Sequence, residues 1–151
     1  MKRILYIAIF ILTSSSCLAQ KNANSIVGTW LNNEKKAHIE IYEENGKYYG
    51  KVSKILIDKM DTSNVDERLK DLSDAEKKQK IQENANKMLN TIILSDLEFS
   101  NNEWKNGSLL VPKDNKTLKA SVTLEKDNSV LAVKVKKGWF SKTIYWTKVN
   151  L

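Results

Sequence analysis

Leu118-Lys119-Ala120-Ser121-Val122-Thr123-Leu124 alternates apolar and polar side chains at every step. A period of two places Leu118, Ala120, Val122 and Leu124 on one face, the pattern of a strand with a buried side and a wet side. After the turn formers Lys126-Asp127-Asn128 the alternation resumes. Leu131, Val133 and Val135 fall on one face, and Ala132, Lys134 and Lys136 on the other. The two runs together predict an antiparallel hairpin whose outer face is basic.

Working outward, the same reading extends over Ile26 to Leu31, Ala37 to Tyr42, Tyr48 to Ile57, Thr91 to Phe99, Glu103 to Val111 and Lys142 to Val149. Asn45-Gly46 between two of these runs supplies two residues that tolerate positive φ, which marks a tight hairpin turn. Asn106-Gly107 lies inside a run and predicts a bulge. One stretch breaks the pattern. Asp58 to Lys87 is charge-rich and has neither Gly nor Pro, and Ser73-Asp74-Ala75-Glu76 has the spacing of a capping box. A helix is predicted over about residues 74–87, with Leu72, Ile81, Ala85 and Met88 as its docking positions and a stripe thin enough for a surface excursion. About eight strands in sequence with one helical excursion describe an all-β domain, either a closed antiparallel up-and-down barrel or a sandwich.

The first nineteen residues belong to something else. Lys2 and Arg3 precede the apolar run Ile4 to Leu12, then the small polar residues Thr13 to Ser16, then Cys17-Leu18-Ala19. Nine apolar residues are too few for a bilayer that needs about 20. The arrangement is that of a secretory signal over residues 1–19, cleaved after Ala19, followed by a short linker over 20–25 and a single domain over 26–151. An alternative makes Cys17 the lipidated residue of a lipoprotein, although Ser14 stands where such sites usually carry an aliphatic side chain. Removing the signal takes away two of the 25 basic residues and lowers the formal charge from +7 to +5. It also removes the single cysteine, leaving no disulfide, thiolate nucleophile or cysteine metal site. Size and composition fit one compact core and argue against a multidomain enzyme, a polytopic membrane protein or a chain disordered throughout.

Several pieces occur together in a recognisable order: Asn24-Ser25-Ile26-Val27-Gly28-Thr29-Trp30, Ile39-Glu40-Ile41-Tyr42, Asn45-Gly46-Lys47-Tyr48-Tyr49-Gly50-Lys51-Val52, Ile92-Ile93-Leu94-Ser95-Asp96-Leu97, Trp104-Lys105-Asn106-Gly107, Val111-Pro112-Lys113-Asp114-Asn115-Lys116-Thr117, and Thr143-Ile144-Tyr145-Trp146-Thr147-Lys148-Val149. In this the chain resembles the bacterial exported family known as domain of unknown function 2147, over roughly Ile26 to Val149. The resemblance implies a lipocalin-like barrel, because the Gly28-x-Trp30 opening is the signature that lipocalins place at the closed end of theirs. Gly28 and Trp30 share a strand face, so the missing side chain at Gly28 is expected to make room while the indole plugs the barrel end. Lys148 matches the basic residue that lies across that indole in lipocalins, where the family more often has Arg. The family's late turn carries Asp-Pro and Gly where Val111-Pro112 and Asn115 stand here, and the Gly before its middle strand is either Asn90 or absent. Asn tolerates positive φ, so these turns are expected to survive. No biochemical activity comes with the resemblance.

Residues able to carry chemistry are few. His38 is the only histidine and alternates outward beside Ile39 and Ile41. It has no second histidine or mature cysteine for a metal site or a nucleophile-base pair. Glu40, Glu43 and Glu44, and Asp58, Asp61, Asp66 and Asp71, lie on outward or charged stretches that suit solubility better than a glycosidic dyad. Asp58, Asp61, Asn64 and Asp66 lack the Gly and final Glu of a calcium loop. No metal and no cofactor is expected. Trp30, Tyr48, Trp104 and Trp146 are the candidate ligand-binding aromatics, with Gly28, Trp30 and Lys148 as structural residues of the barrel end. Lys134, Lys136, Trp139 and Phe140 form a candidate interaction surface. The bland reading of its lysines is protection of a strand edge. The expected function is that of an exported, monomeric, non-catalytic binding protein of the envelope that holds a small apolar or amphipathic molecule, in a barrel whose interior the sequence leaves either filled or hollow. The alternative is an envelope protein that binds a partner protein or an anionic membrane surface through the basic and aromatic hairpin. Nucleic acid is not expected as a partner of an exported domain.

Overall fold

A computed structural model describes residues 22–59 and 71–150. The proposed signal and its lipobox alternative, as well as Asp61, Asn64 and Asp66, lie outside the described residues. Eight strands form: β1 (Gly28–Leu31), β2 (Ala37–Glu44), β3 (Lys47–Ile55), β4 (Ile92–Ser100), β5 (Glu103–Val111), β6 (Lys116–Glu125), β7 (Val130–Lys137) and β8 (Phe140–Lys148). Each pairs antiparallel with the next, and β1 returns to pair with β8, so the sheet closes into an up-and-down barrel. Barrel, not sandwich, is the outcome.

The quoted hairpin behaves as its alternation requires. Ala120 lies opposite Val135, Val122 opposite Val133 and Leu124 opposite Leu131, all pointing into the core, while Lys119 faces Lys136 and Ser121 faces Lys134 outside. Asparagines carry much of the chain reversal. Asn45 and Gly46 hold φ of 53° and 80° in the β2–β3 turn, and Asn101 and Asn102 hold 54° and 61° between β4 and β5. Asn106, at φ 61°, sits where the β5–β6 register shifts between Trp104 and Gly107, the bulge foreseen there.

The helix α1 (Asp74–Met88) begins on Ser73, whose side chain accepts from the Glu76 amide while the Glu76 carboxylate accepts from the Ser73 amide. Ala85 is buried and Leu72, Ile81 and Met88 are half-buried, whereas most of the helix is wet. Its principal neighbour is the short 3-10 turn Ile57–Lys59 after β3, so it sits at one end of the barrel.

Antiparallel order sorts the connections between the two ends. The turns after β2, β4 and β6 gather at one end, together with the chain entering β1; the loops after β1, β5 and β7, and the excursion carrying α1, gather at the other. Residues Ala23–Ile26, where the sequence suggests part of a linker, form a 3-10 turn capped by the Asn22 side chain, with Ile26 fully buried. The reason is tertiary: barrel aromatics bond its backbone, as follows.

Candidate functional site

The barrel has a closed end, a mouth, a projecting tip and an outer wall, each built from different residue types. At the closed end Trp30, from the middle of β1, donates its indole N–H to the Ile26 carbonyl at 2.8 Å. Trp104 at the start of β5 donates to the Ala23 carbonyl at 3.0 Å, and the Tyr48 hydroxyl at the start of β3 donates to Asn24 Oδ1 at 2.8 Å. Three aromatic donors from three strands thus tie the entering chain across the barrel floor. Tyr48 and Trp104 meet edge to face at 6.3 Å, and Phe99 packs on Trp104 at 4.8 Å. Burial, and secondarily the Glu43 charge, raises the Tyr48 phenol above its ordinary pKa of 10.0, so it stays a neutral donor.

Lys148 lies opposite Trp30 in the β1–β8 register with its ammonium 5.5 Å from the indole, the lid that the Gly28-x-Trp30 resemblance implies. Gly28 serves a different purpose from the one expected. A side chain there would meet only Lys148 Cε at 3.9 Å, so space is not the constraint; its φ of +133° is. Close approach is the issue at Gly107, where an added Cβ would fall 2.6 Å from Leu97 Cδ2 and 2.7 Å from the Ser95 carbonyl oxygen.

These contacts divide the expected ligand-binding aromatics. Trp30, Tyr48 and Trp104 have their polar atoms satisfied within the closed end, so they read as its plug. Trp146 differs. It is 2% exposed, and its indole Nε1 has no hydrogen-bond partner among the described residues. Toward the other end the lining turns aliphatic and partly open: Ala37, Ile55, Leu118 and Ile144 pack on the core while staying half-buried.

Trp139 and Phe140 stand at the tip of the β7–β8 turn, on that same open end. They are 90% and 65% exposed, and their rings meet in a tilted contact at 4.3 Å instead of folding over the mouth. Lys134 and Lys136 are not beside them on the tip but on the outer wall, facing Thr143 and Ser141 of β8, while Lys137 and Lys142 occupy the inward register at the rim. His38 is half-buried on the outer register between Leu31 and Lys54. Glu40 pairs with Lys51 at 3.2 Å, and Glu43 accepts from the Gly46 amide. Among the described residues no three His, Cys, Asp or Glu side chains gather where they could hold a metal.

The profile of a family described as uncharacterised proteins conserved in bacteria, DUF2147, matches residues 28–148. The chain belongs to the DUF2147 family. A solved structure of a Helicobacter pylori protein described as belonging to the lipocalin family is similar in fold, with 21% identity, a TM-score of 0.54 and 83% of each chain covered. No curated protein sequence matches the chain. The DUF2147 match begins at Gly28 and ends at Lys148, the two residues that flank Trp30 at the closed end. Asn90 and Asn115 hold φ of 63° and 47°, so both turns take the left-handed conformation with asparagine. Sequence reading missed the part played by Ala23 and Asn24, because the aromatics that bond them are 24 to 81 residues away in the chain.

Proposed function

We propose that this DUF2147 protein is an exported, non-catalytic, monomeric binding protein of the bacterial envelope that holds a small amphipathic molecule in its barrel. The observation that carries this reading is the Trp146 indole, a buried donor without an acceptor. An unmet buried N–H costs about 1–3 kcal/mol, and an oxygen on a ligand otherwise made of hydrocarbon would meet it. The half-buried aliphatic residues Ala37, Ile55, Leu118 and Ile144, packed on the core toward the open end, offer such a ligand apolar surface. Export is supported by the Lys2-Arg3 start, the apolar run and the small residues ending at Ala19. The monomer is supported by closure, which leaves no strand unpaired.

Indole N–H resonances test the reading, since the four tryptophans give four signals. Titration with long-chain fatty acids and lysophospholipids should shift the Trp146 signal and leave that of Trp139 in place. If no interior indole responds to any of them, the reading falls.

A second reading, an envelope protein that docks on an anionic membrane surface, is favoured by the exposed ring pair of Trp139 and Phe140. Two exposed rings in contact at a tip, with Lys137 and Lys142 at the rim beneath, join apolar insertion to electrostatic attraction. Replacing both rings by Ser should abolish sedimentation with phosphatidylglycerol vesicles at unchanged thermal stability; retained sedimentation rejects it.

A further inference from the structure

Closure of the barrel changes the meaning of the basic outer wall. Lysines guarding a strand edge need an edge, and β7 is hydrogen-bonded on both sides, to β6 and to β8. Lys134 and Lys136 lie in the middle of a continuous sheet, where edge protection explains nothing.

Their surroundings are unusual in three ways. First, Lys119 on β6 lies directly opposite Lys136 on β7, and Lys134 faces Ser121 two residues along the same ladder. Directly opposed residues on one sheet face have Cβ atoms about 5 Å apart and diagonal ones about 7 Å, and like charges so placed repel. Second, these three ammonium groups have no carboxylate within 4.0 Å among the described residues, whereas three outer-face lysines on β3 and β5 do. Lys47 lies 3.4 Å from Asp96, Lys51 lies 3.2 Å from Glu40, and Lys105 lies 3.3 Å from Glu103. Third, the wall is concave there. Lys119, Lys134 and Lys136 line a groove of about 490 Å³ across β5 to β7, with Ser121 between them and the Lys105–Glu103 pair on its β5 side.

Repulsion without internal compensation, in a concavity, is the arrangement of a site completed by an external anion. We infer that the outer groove between β5 and β7 binds a ligand carrying two or more phosphate groups, held by Lys119, Lys134 and Lys136 with the Ser121 hydroxyl as a further donor. Ammonium groups act on phosphate as point charges and tolerate its varied approach. Three ammonium groups carry more positive charge than one phosphate, at about −1.5 to −2 near pH 7, can neutralise, which favours a ligand with two or more. The groove lies on the outside of the wall, so this assignment stands or falls independently of any ligand within the barrel.

Inorganic tripolyphosphate and vesicles containing phosphatidylglycerol, offered to the full mature chain, separate a soluble phosphate ligand from a lipid headgroup. Calorimetry should show tripolyphosphate binding more tightly than orthophosphate and weakening as salt rises. A K119Q/K134Q/K136Q variant should lose about tenfold in affinity, the order expected of three solvated ion pairs. A K77Q/K78Q/K80Q variant removes the same charge from α1 and should bind as the parent does. Thermal melting should show the groove variant at least as stable as the parent, because the opposed lysines no longer repel. Vesicle binding lost only in the groove variant would identify the phosphate as a lipid headgroup. Binding of neither probe, or equal losses in the two variants, would overturn the assignment.

Discussion

Single residues at the closed end show how little freedom the interior allows. Trp30, Trp104 and Trp146 are each no more than 2% exposed in a barrel of only eight strands. Packing around them leaves some positions with no space for even one more carbon. Gly107 is the sharpest case, since any Cβ would strike Leu97 and the Ser95 carbonyl. Gly107→Ala should therefore cost about 1–3 kcal/mol in urea unfolding through overpacking, a value that a surface Gly46→Ala change could not reach by the same route because nothing lies within 4 Å of that position. The alternation around Trp104 was legible in the chain, and so was the bulge at Asn106-Gly107. The clash was not, because Leu97 reaches Gly107 only through the β4–β5 pairing.

Among the elements, the helix is the one whose ends are written locally. Its capping box needs only Ser73 and Glu76, three residues apart, and both halves are made. The hydrogen bonds from the Ser73 hydroxyl and amide hold the Glu76 carboxyl below its ordinary pKa of 4.5. A lowered folded-state value means that this contribution is complete above about pH 4.5 and is lost as the pH falls through the folded value. Protection of the α1 amides, taken relative to the intrinsic exchange rate at each pH, should accordingly fall on acidification from about pH 6 to about pH 3, while that of the strand amides changes less. Ser73→Ala should bring about that fraying at neutral pH, with about 1 kcal/mol of local stability lost. By contrast, the resting place of the helix beside Ile57–Lys59 depends on packing that its thin stripe of Ile81, Ala85 and Met88 only hints at.

At the scale of the whole molecule, stability is set by how the sheet closes. Interior ladders are long, with seven residue pairs between β6 and β7, whereas β1 meets β8 in two, Trp30 with Lys148 and Leu31 with Thr147. The Val149 amide adds a bond to the Thr29 carbonyl at 2.9 Å. The seam is the weak line of the barrel, and its strength rests on the plug that Trp30 and Lys148 build beneath it. Native-state hydrogen exchange should show the Val149 amide opening well before those of Ala120 and Val122. Equal protection at these sites would mean that the barrel opens only as a unit.

The amino-acid sequence by itself determined the strands, the turns and the helix start, because each depends on neighbours two to four residues apart: period-two alternation, Asn and Gly at positive φ, and a Ser-Glu box. Through the Gly28-x-Trp30 opening and the pieces that follow it, the family was legible too. Only the tertiary structure decided that three of the four candidate aromatics seal the barrel floor while Trp146 keeps an unmet donor. It also turned the lysines of one hairpin from guards of an edge into the wall of a groove. The physical reason is common to both. Satisfaction of a buried N–H, and repulsion or relief of a charge, depend on which atom lies across the ladder or across the barrel, and strand register, not local pattern, sets that.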